Sequence, residues 1–252
     1  MSEQLLNSPV KNISCRICRL SYLCVPHGLS KKELEQLDSV TKKKRKLEKN
    51  DFLYKDGEAV TSIYAVRSGS FKTITNNQGG EEQITGFQMP GHLLGLDGLG
   101  NNIHTCSTTA LETSTVCEIP IDEFDRLCTG NKSLHRHTLR LMGKELYHES
   151  QMLLILGKMT GDERFATFLL ELSNQHQERG LSAIEFNLTM QRRDIANYLG
   201  LSVEALSRLI SKLQDRGILD VKHRNIKILN WDLLCKLAHV RQEQQMFRKV
   251  SV

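Results

Sequence analysis

The sequence predicts an α+β chain with a small antiparallel β barrel or sandwich in its first half. One long helix follows near the middle, and a winged helix-turn-helix closes the chain. Three observations carry that expectation. Between about Lys43 and Ile121, short β-rich runs such as SIYAVRSGSFKTIT, EEQITGF and STTALETSTVCEIP are punctuated by glycine. Past Asp122 the apolar period becomes helical. Near the C-terminal end, QRRDIANYLGLSVEALSRLISKLQDRG reads as two helices joined at Gly200.

The bulk properties set outer limits. The 252 residues leave room for two modest cores, and 39% apolar residues suit a soluble chain. No run approaches the length of a membrane span, and MSEQLLNSPVKN lacks a secretory apolar stretch, so a cytoplasmic protein is expected. A net charge of +5 permits nucleic-acid binding without establishing it. Seven cysteines, an odd number without an export signal, argue against a disulfide framework and toward metal or redox chemistry.

In chain order, residues 1–28 form an irregular segment carrying Cys15, Cys18 and Cys24. Leu34, Leu37 and Val40 share one side of a short amphipathic helix from Leu29 to Val40. Residues 29–130 are expected to form the β-rich domain. Its KKKRK run, Lys42 to Lys46, reads as a solvated strand edge rather than a nucleic-acid patch. A dimerisation helix then covers 131–160. Leu139, Leu146 and Leu153 fall seven apart, and so do Met142, Glu149 and Leu156, giving an a/d seam with Glu149 at a d position. In a symmetric pair Glu149 faces its own copy, and two carboxylates about 6 Å apart repel by roughly 1–3 kcal/mol. Such a seam is marginal without help. His135, His137 and His148 on or near this helix share no metal-binding face and read as surface residues.

Residues 161–252 form the expected DNA-binding domain. A helix from Gly161 ends before Gly180, and the last third reads as three short helices followed by a β-hairpin. Gly200 allows the left-handed turn, and Ser202 caps the next helix. On that helix Val203, Leu206, Leu209, Ile210 and Leu213 share one face; Glu204, Ser207, Arg208 and Ser211 share the other. An exposed set opening at the N-terminal end of the second helix suits insertion into a major groove. Arg208 can donate twice to guanine, and Glu204 can accept from cytosine. Ser202 completes the base-facing set, while Arg192, Arg193, Lys212, Arg216, Lys222, His223 and Arg224 supply charge for phosphates.

Cys15-x2-Cys18-x5-Cys24 places three thiols within ten residues. Such a set holds either zinc or an iron–sulfur cluster with a fourth ligand from Cys106, Cys117, Cys128 or Cys235. An iron–sulfur enzyme would need acid–base groups nearby, and the segment supplies only Arg16, Arg19, Tyr22 and His27.

These stretches, SIYAVRSG, EEQITGF, ETSTVCEIP and the terminal winged motif, together resemble the CRP/FNR regulators over essentially the whole chain. The E-x-x-S-R spacing of Glu204, Ser207 and Arg208 is similar to the FNR branch; the CRP branch has an arginine where this chain has Val203. The resemblance implies a β-roll of cyclic-nucleotide-binding type and an oxygen-sensing transcription regulator, not an enzyme. It implies a [4Fe–4S] cluster on Cys15, Cys18, Cys24 and Cys117 that favours the homodimer, and a TTGAT-N4-ATCAA palindrome as target. Molecular oxygen is the implied signal, with nitric oxide or a structural zinc as rival readings. It also implies an RNA polymerase contact at Gly80, Glu81 and Glu82. Two departures stand out. Arg19 follows Cys18 where the family has a small residue, which changes solvent access to the cluster. HLLGLDGLGNNIHTCSTTALE has no arginine for a cyclic nucleotide's phosphate, so cyclic AMP is not expected to bind.

Overall fold

The computed structural model describes residues 14–77 and 79–239, except for the side chains of Lys42 and Lys43. The opening MSEQLLNSPVKN lies outside the described residues. One turn of 3-10 helix at Cys15–Ile17 leads into a series of tight turns, then helix α1 (Lys31–Val40). Ser30 and Glu33 cap α1 reciprocally, and Leu37 buries its inner face.

Eight strands then form the β-roll: β1 (Lys42–Leu47), β2 (Phe52–Tyr54), β3 (Ser62–Ser68), β4 (Phe71–Asn76), β5 (Glu82–Gln88), β6 (Leu93–Leu94), β7 (Ser107–Ala110) and β8 (Ser114–Pro120). They pair antiparallel in two four-stranded sheets, ordered β1-β8-β3-β6 and β2-β7-β4-β5. The KKKRK run lies in β1, at the edge of its sheet, where Leu47 is buried and the exposed Arg45 and Lys46 discourage further pairing. Leu53, Tyr54, Tyr64, Val66, Phe71 and Val116 fill the interior of the roll. Within it the Tyr54 ring stacks on His104 at 3.7 Å, and the Gly95 N–H donates to the Tyr54 hydroxyl at 3.0 Å.

Helix α2 (Ile121–Gly130) leads to α3 (Lys132–Lys158), which is about 40 Å long and capped by the Asn131 side chain. Helix α4 (Gly161–Glu178) opens with a Thr160/Glu163 capping box. The remaining elements are β9 (Glu185–Asn187), α5 (Arg192–Tyr198), α6 (Val203–Asp215), β10 (Leu219–Lys222), β11 (Asn225–Ile228) and α7 (Trp231–Leu237). The expectation of three short helices before the hairpin needs correction. Only α5 and α6 precede it, β9 stands ahead of them, and the third short helix, α7, comes after. Three-residue β9 exists because it pairs with β11, setting Phe186 opposite Ile226 in the core. That partner lies forty residues on, so no local period announces the strand.

The winged domain is docked on the roll. Ile74, Ile84, Met89 and Leu111 of the roll belong to the same apolar cluster as Phe165, Phe168, Leu169 and Tyr198. Among the described residues no helix is long and apolar enough to cross a membrane.

Candidate metal centre and nucleic-acid interface

The cysteine segment is shaped by short-range backbone bonds. Cys18 N–H donates to the Cys15 carbonyl, Ser21 N–H to Cys18, and His27 N–H to Cys24 at 3.0 Å. Ser14 and Asp38 anchor its start: the Cys15 N–H donates to Asp38 Oδ1 at 2.7 Å, and the Ser14 hydroxyl donates to Oδ2. Val25, fully buried, anchors its end in a small core with Leu37, Ile63, Ile119, Phe124 and Leu134. Asp38 is a second-element anchor that the cysteine spacing gave no reason to seek.

Cys117 comes from the middle of β8, paired with Lys44 on one side and Ala65 on the other. Burial pushes the Cys15 thiol up, the Asp38 carboxylate adds to that, and charges on Cys117 and Cys24 raise it further. Burial also pushes Cys24 up to about 12, with Cys117 and Cys18 adding smaller contributions. Cys117 is raised by burial against the pull of Arg67, with Cys18 also raising it. Cys15 and Cys24 pack against the small core to which Ile119, two residues beyond Cys117 on β8, belongs. Among the described residues no three histidine, cysteine or acidic side chains come together as a group that could hold a metal ion. Of the other thiols, Cys106 and Cys235 are buried in apolar cores, and Cys128 Sγ lies 3.9 Å from Thr138 Oγ1.

The cysteine segment reaches α3 through His137, which is half-buried rather than a surface residue. Its Nε2 faces the Cys24 carbonyl at 3.2 Å, and its ring lies 5.5 Å from that of His27. His148, also half-buried, faces Glu171 of α4 at 3.1 Å. Leu134, His137 and Thr138 form the inner face of α3's first turns, and the expected seam lies about a quarter turn round the helix. There Leu139, Leu146 and Leu153 are 55%, 64% and 76% exposed, and Glu149 is exposed with them. Met142 and Leu156 are half-buried, and Leu156 packs against the winged-domain core.

Helix α5 and helix α6 meet at Gly200, whose φ is +63°; a Cβ there would sit 3.2 Å from the Arg164 Nη1. Ser202 caps α6 by accepting from the Ala205 N–H at 3.1 Å. Leu206, Leu209, Ile210 and Leu213 are buried as expected, but Val203 is 41% exposed. It occupies the first turn of α6, which projects past the core. Glu204, Arg208 and Ser211 are exposed on the outer face, with Ser207 half-buried. The Glu204 carboxylate lies below the usual range. Its own backbone N–H does most of this, then the Ser202 hydroxyl, with the Arg208 guanidinium nearby. Arg192 of α5 and His223 and Arg224 of the wing tip border one hollow of about 170 Å³ floored by Phe165, Met190 and Ile210. Arg192 and Arg224 thus bring positive charge to one hollow beside α6. Lys212 is engaged with Asp162 of α4, and Lys222 with Asp220.

The turn holding Gly80, Glu81 and Glu82 is exposed, with the Asn77 side chain accepting from the Gly79 and Glu81 N–H groups. Asn197 of α5 clasps the same hairpin. Its Nδ2 donates to the Glu82 carbonyl at 2.8 Å, its Oδ1 accepts from the Ile84 N–H at 2.6 Å, and Gln83 donates to its carbonyl. Lys72 of β4 pairs with buried Asp194 at 2.8 Å beside it. Arg164 donates to the carbonyls of Leu156, Met159 and Leu199, fastening the end of α3 to the helix-turn-helix.

Comparison with known proteins agrees with this geometry. Residues 163–237 match the family model of the Crp-like helix-turn-helix domain, and residues 44–131 that of the cyclic nucleotide-binding domain. The chain is 46% identical over 226 residues to the anaerobic regulatory protein of Pasteurella multocida, covering 90% of this chain and 83% of that one. It is 44% identical to the fumarate and nitrate reduction regulatory protein of Escherichia coli, over 91% and 92% of the two chains. The transcriptional activator protein anr of Pseudomonas aeruginosa is 41% identical, over 94% and 98%. Among solved structures, FixK2 from Bradyrhizobium japonicum superposes with a TM-score of 0.72 at 29% identity, over 77% of this chain and 96% of that one.

Proposed function

Because the chain belongs to the CRP/FNR family of transcription regulators, we propose that it binds a TTGAT-N4-ATCAA-type palindrome as a homodimer. A [4Fe–4S] cluster on Cys15, Cys18, Cys24 and Cys117 sets that affinity according to oxygen. The relatives carry regulator names rather than enzyme names, several of them anaerobic regulatory proteins. The carrying observation is that Cys15 and Cys24 pack against the small core that holds Ile119, two residues beyond Cys117 on β8, across a sequence gap of more than ninety residues.

The residues fit such a group. Burial makes Cys15, Cys24 and Cys117 reluctant to ionise alone, and a metal centre supplies the positive charge that offsets this. Three thiols within ten residues and a fourth on β8 supply the four thiolates that a [4Fe–4S] cluster takes. When bound, the cluster supplies iron–thiolate bonds to both segments and a reactivity toward oxygen that no side chain has.

The chain's own residues do the rest. Four anchored cysteines fix the Cys24–Val25 segment against Leu134 and His137 on the inner face of α3. That support sets the outer face, Leu139, Leu146 and Leu153, for pairing, and it offsets the repulsion of two Glu149 carboxylates. Paired α3 helices bring two α6 helices to successive major grooves, with Ser202, Glu204, Ser207, Arg208 and Ser211 toward the bases. Arg192 and the wing tip lie over phosphates, and Lys212 joins them by leaving Asp162. Gly80, Glu81 and Glu82 meet RNA polymerase. The chain divides accordingly at about residues 28, 130 and 160.

Anaerobically purified protein is expected to hold iron and sulfide in equal amounts and to lose them in air. Cys24→Ala should hold neither, and its anaerobic DNA affinity should fall by roughly 10³-fold, to the level of unrelated duplex. Retained affinity in that variant would end the reading. Glu149→Ala should dimerise in air, gaining about 5-fold to 100-fold in aerobic DNA affinity from the relieved repulsion. An unchanged aerobic affinity would show that the carboxylates do not control pairing.

A further inference from the structure

The cysteine segment also touches the DNA-binding domain directly. The Tyr22 hydroxyl donates to the Glu178 carbonyl at 2.6 Å, at the C-terminal end of α4. Beside it Leu23 lies over Gly91, in the turn between β5 and β6. A Cβ at Gly91 would come within 2.9 Å of the Leu23 Cβ, and its φ of +98° favours glycine. Arg179, one residue past α4, closes the third side. Its Nε donates to the Pro90 carbonyl at 2.8 Å, and Nη1 donates to the Gln175 carbonyl. Three segments remote in sequence thus meet at one point, and none of these bonds involves α3.

We propose that this junction is a second route from the cysteines to DNA, running inside one subunit and independent of pairing. It rests on the cluster reading above. Tyr22 and Leu23 immediately precede Cys24, so anchoring that cysteine fixes their positions. Their contacts then hold the end of α4, and α4 supports the helix-turn-helix through Phe165 and Leu169, which share its core with Leu206 and Ile210. Released cysteines let the Tyr22 hydroxyl turn to water, and the end of α4 loses its restraint. With the junction closed the outer face of α6 stays exposed, so the junction does not block DNA binding. Tyr22 touches neither metal nor DNA; it is a positioning residue.

The test compares wild type with Tyr22→Phe, which removes only the donor. In anaerobic protein, iron content and the dimer dissociation constant should match wild type. Affinity for a TTGAT-N4-ATCAA duplex should be about threefold to tenfold weaker, the effect of one neutral hydrogen bond. Amide hydrogen exchange at residues 176–181 should be faster in loaded Tyr22→Phe than in loaded wild type, and equal in the two proteins after air has removed the iron. A difference that persists after air makes the bond a passive strut and overturns the proposal. So does the absence of any difference in the loaded proteins. Wild type lacking iron altogether would instead fell the cluster reading, and this route with it; the iron measurement separates the two failures.

Discussion

Arg208→Ala is expected to cost at least about 30-fold in affinity for the palindromic duplex while changing affinity for unrelated duplex by only a few-fold. The reason lies in the first two turns of α6. Ser202 closes the helix start, and Glu204 is held by its own backbone N–H and the Ser202 hydroxyl. Arg208, one turn on, lies exposed beside that fixed carboxylate. The exposed guanidinium can donate two bonds to guanine. Each such contact is worth about 1–3 kcal/mol of discrimination, and a two-fold symmetric site uses it twice. The measurement is the ratio of specific to non-specific binding at one salt concentration, since both fall steeply with salt. An unchanged ratio in the variant would mean that some other side chain reads the base.

The second large effect concerns stability. Asp194 is buried at the start of α5, where it receives Lys72 from β4 at 2.8 Å and the Gln191 N–H at 3.0 Å. Asp194→Ala strands the Lys72 ammonium in a mostly buried setting and strips α5 of its capping bond. Removing one partner of such a pair costs about 3–5 kcal/mol, which corresponds to a Tm lower by roughly 10 °C in a chain of this size. Replacing both partners together, Lys72→Met with Asp194→Leu, should restore most of the loss, because no charge is then left unpaired. A single variant that melts within about 2 °C of wild type would show that the ion pair is not shielded from water.

Much of the candidate site is legible in the sequence because it depends on residues close together. Ser202, Gly200 and the spacing of Leu206, Leu209, Ile210 and Leu213 announce a turn, a cap and a buried face without any partner. The seam of Leu139, Leu146 and Leu153 needs only a period of seven. What escapes is long-range pairing. Lys72 and Asp194 stand in a strand and a helix of different domains, and each taken alone is an ordinary charged residue. Asn197 reads as one more polar position on a short helix until β5 is laid beside it. His137 looks like surface because three histidines at irregular spacing suggest nothing, yet the Cys24 carbonyl turns it inward. Val203 errs the other way: helical phase puts it with the core, but the first turn of α6 extends beyond the atoms that would cover it.

Arg164 gives the molecule a property that no single domain has. One guanidinium spends its donors on the carbonyls of Leu156, Met159 and Leu199, so the end of the long helix and the bend before the reading helix share one rigid corner. In a pair of subunits the two reading heads are then set like the jaws of a calliper. Such a tool gauges the gap between two marks and does not stretch to meet a wider one. Selection among operators becomes a matter of length as well as letters.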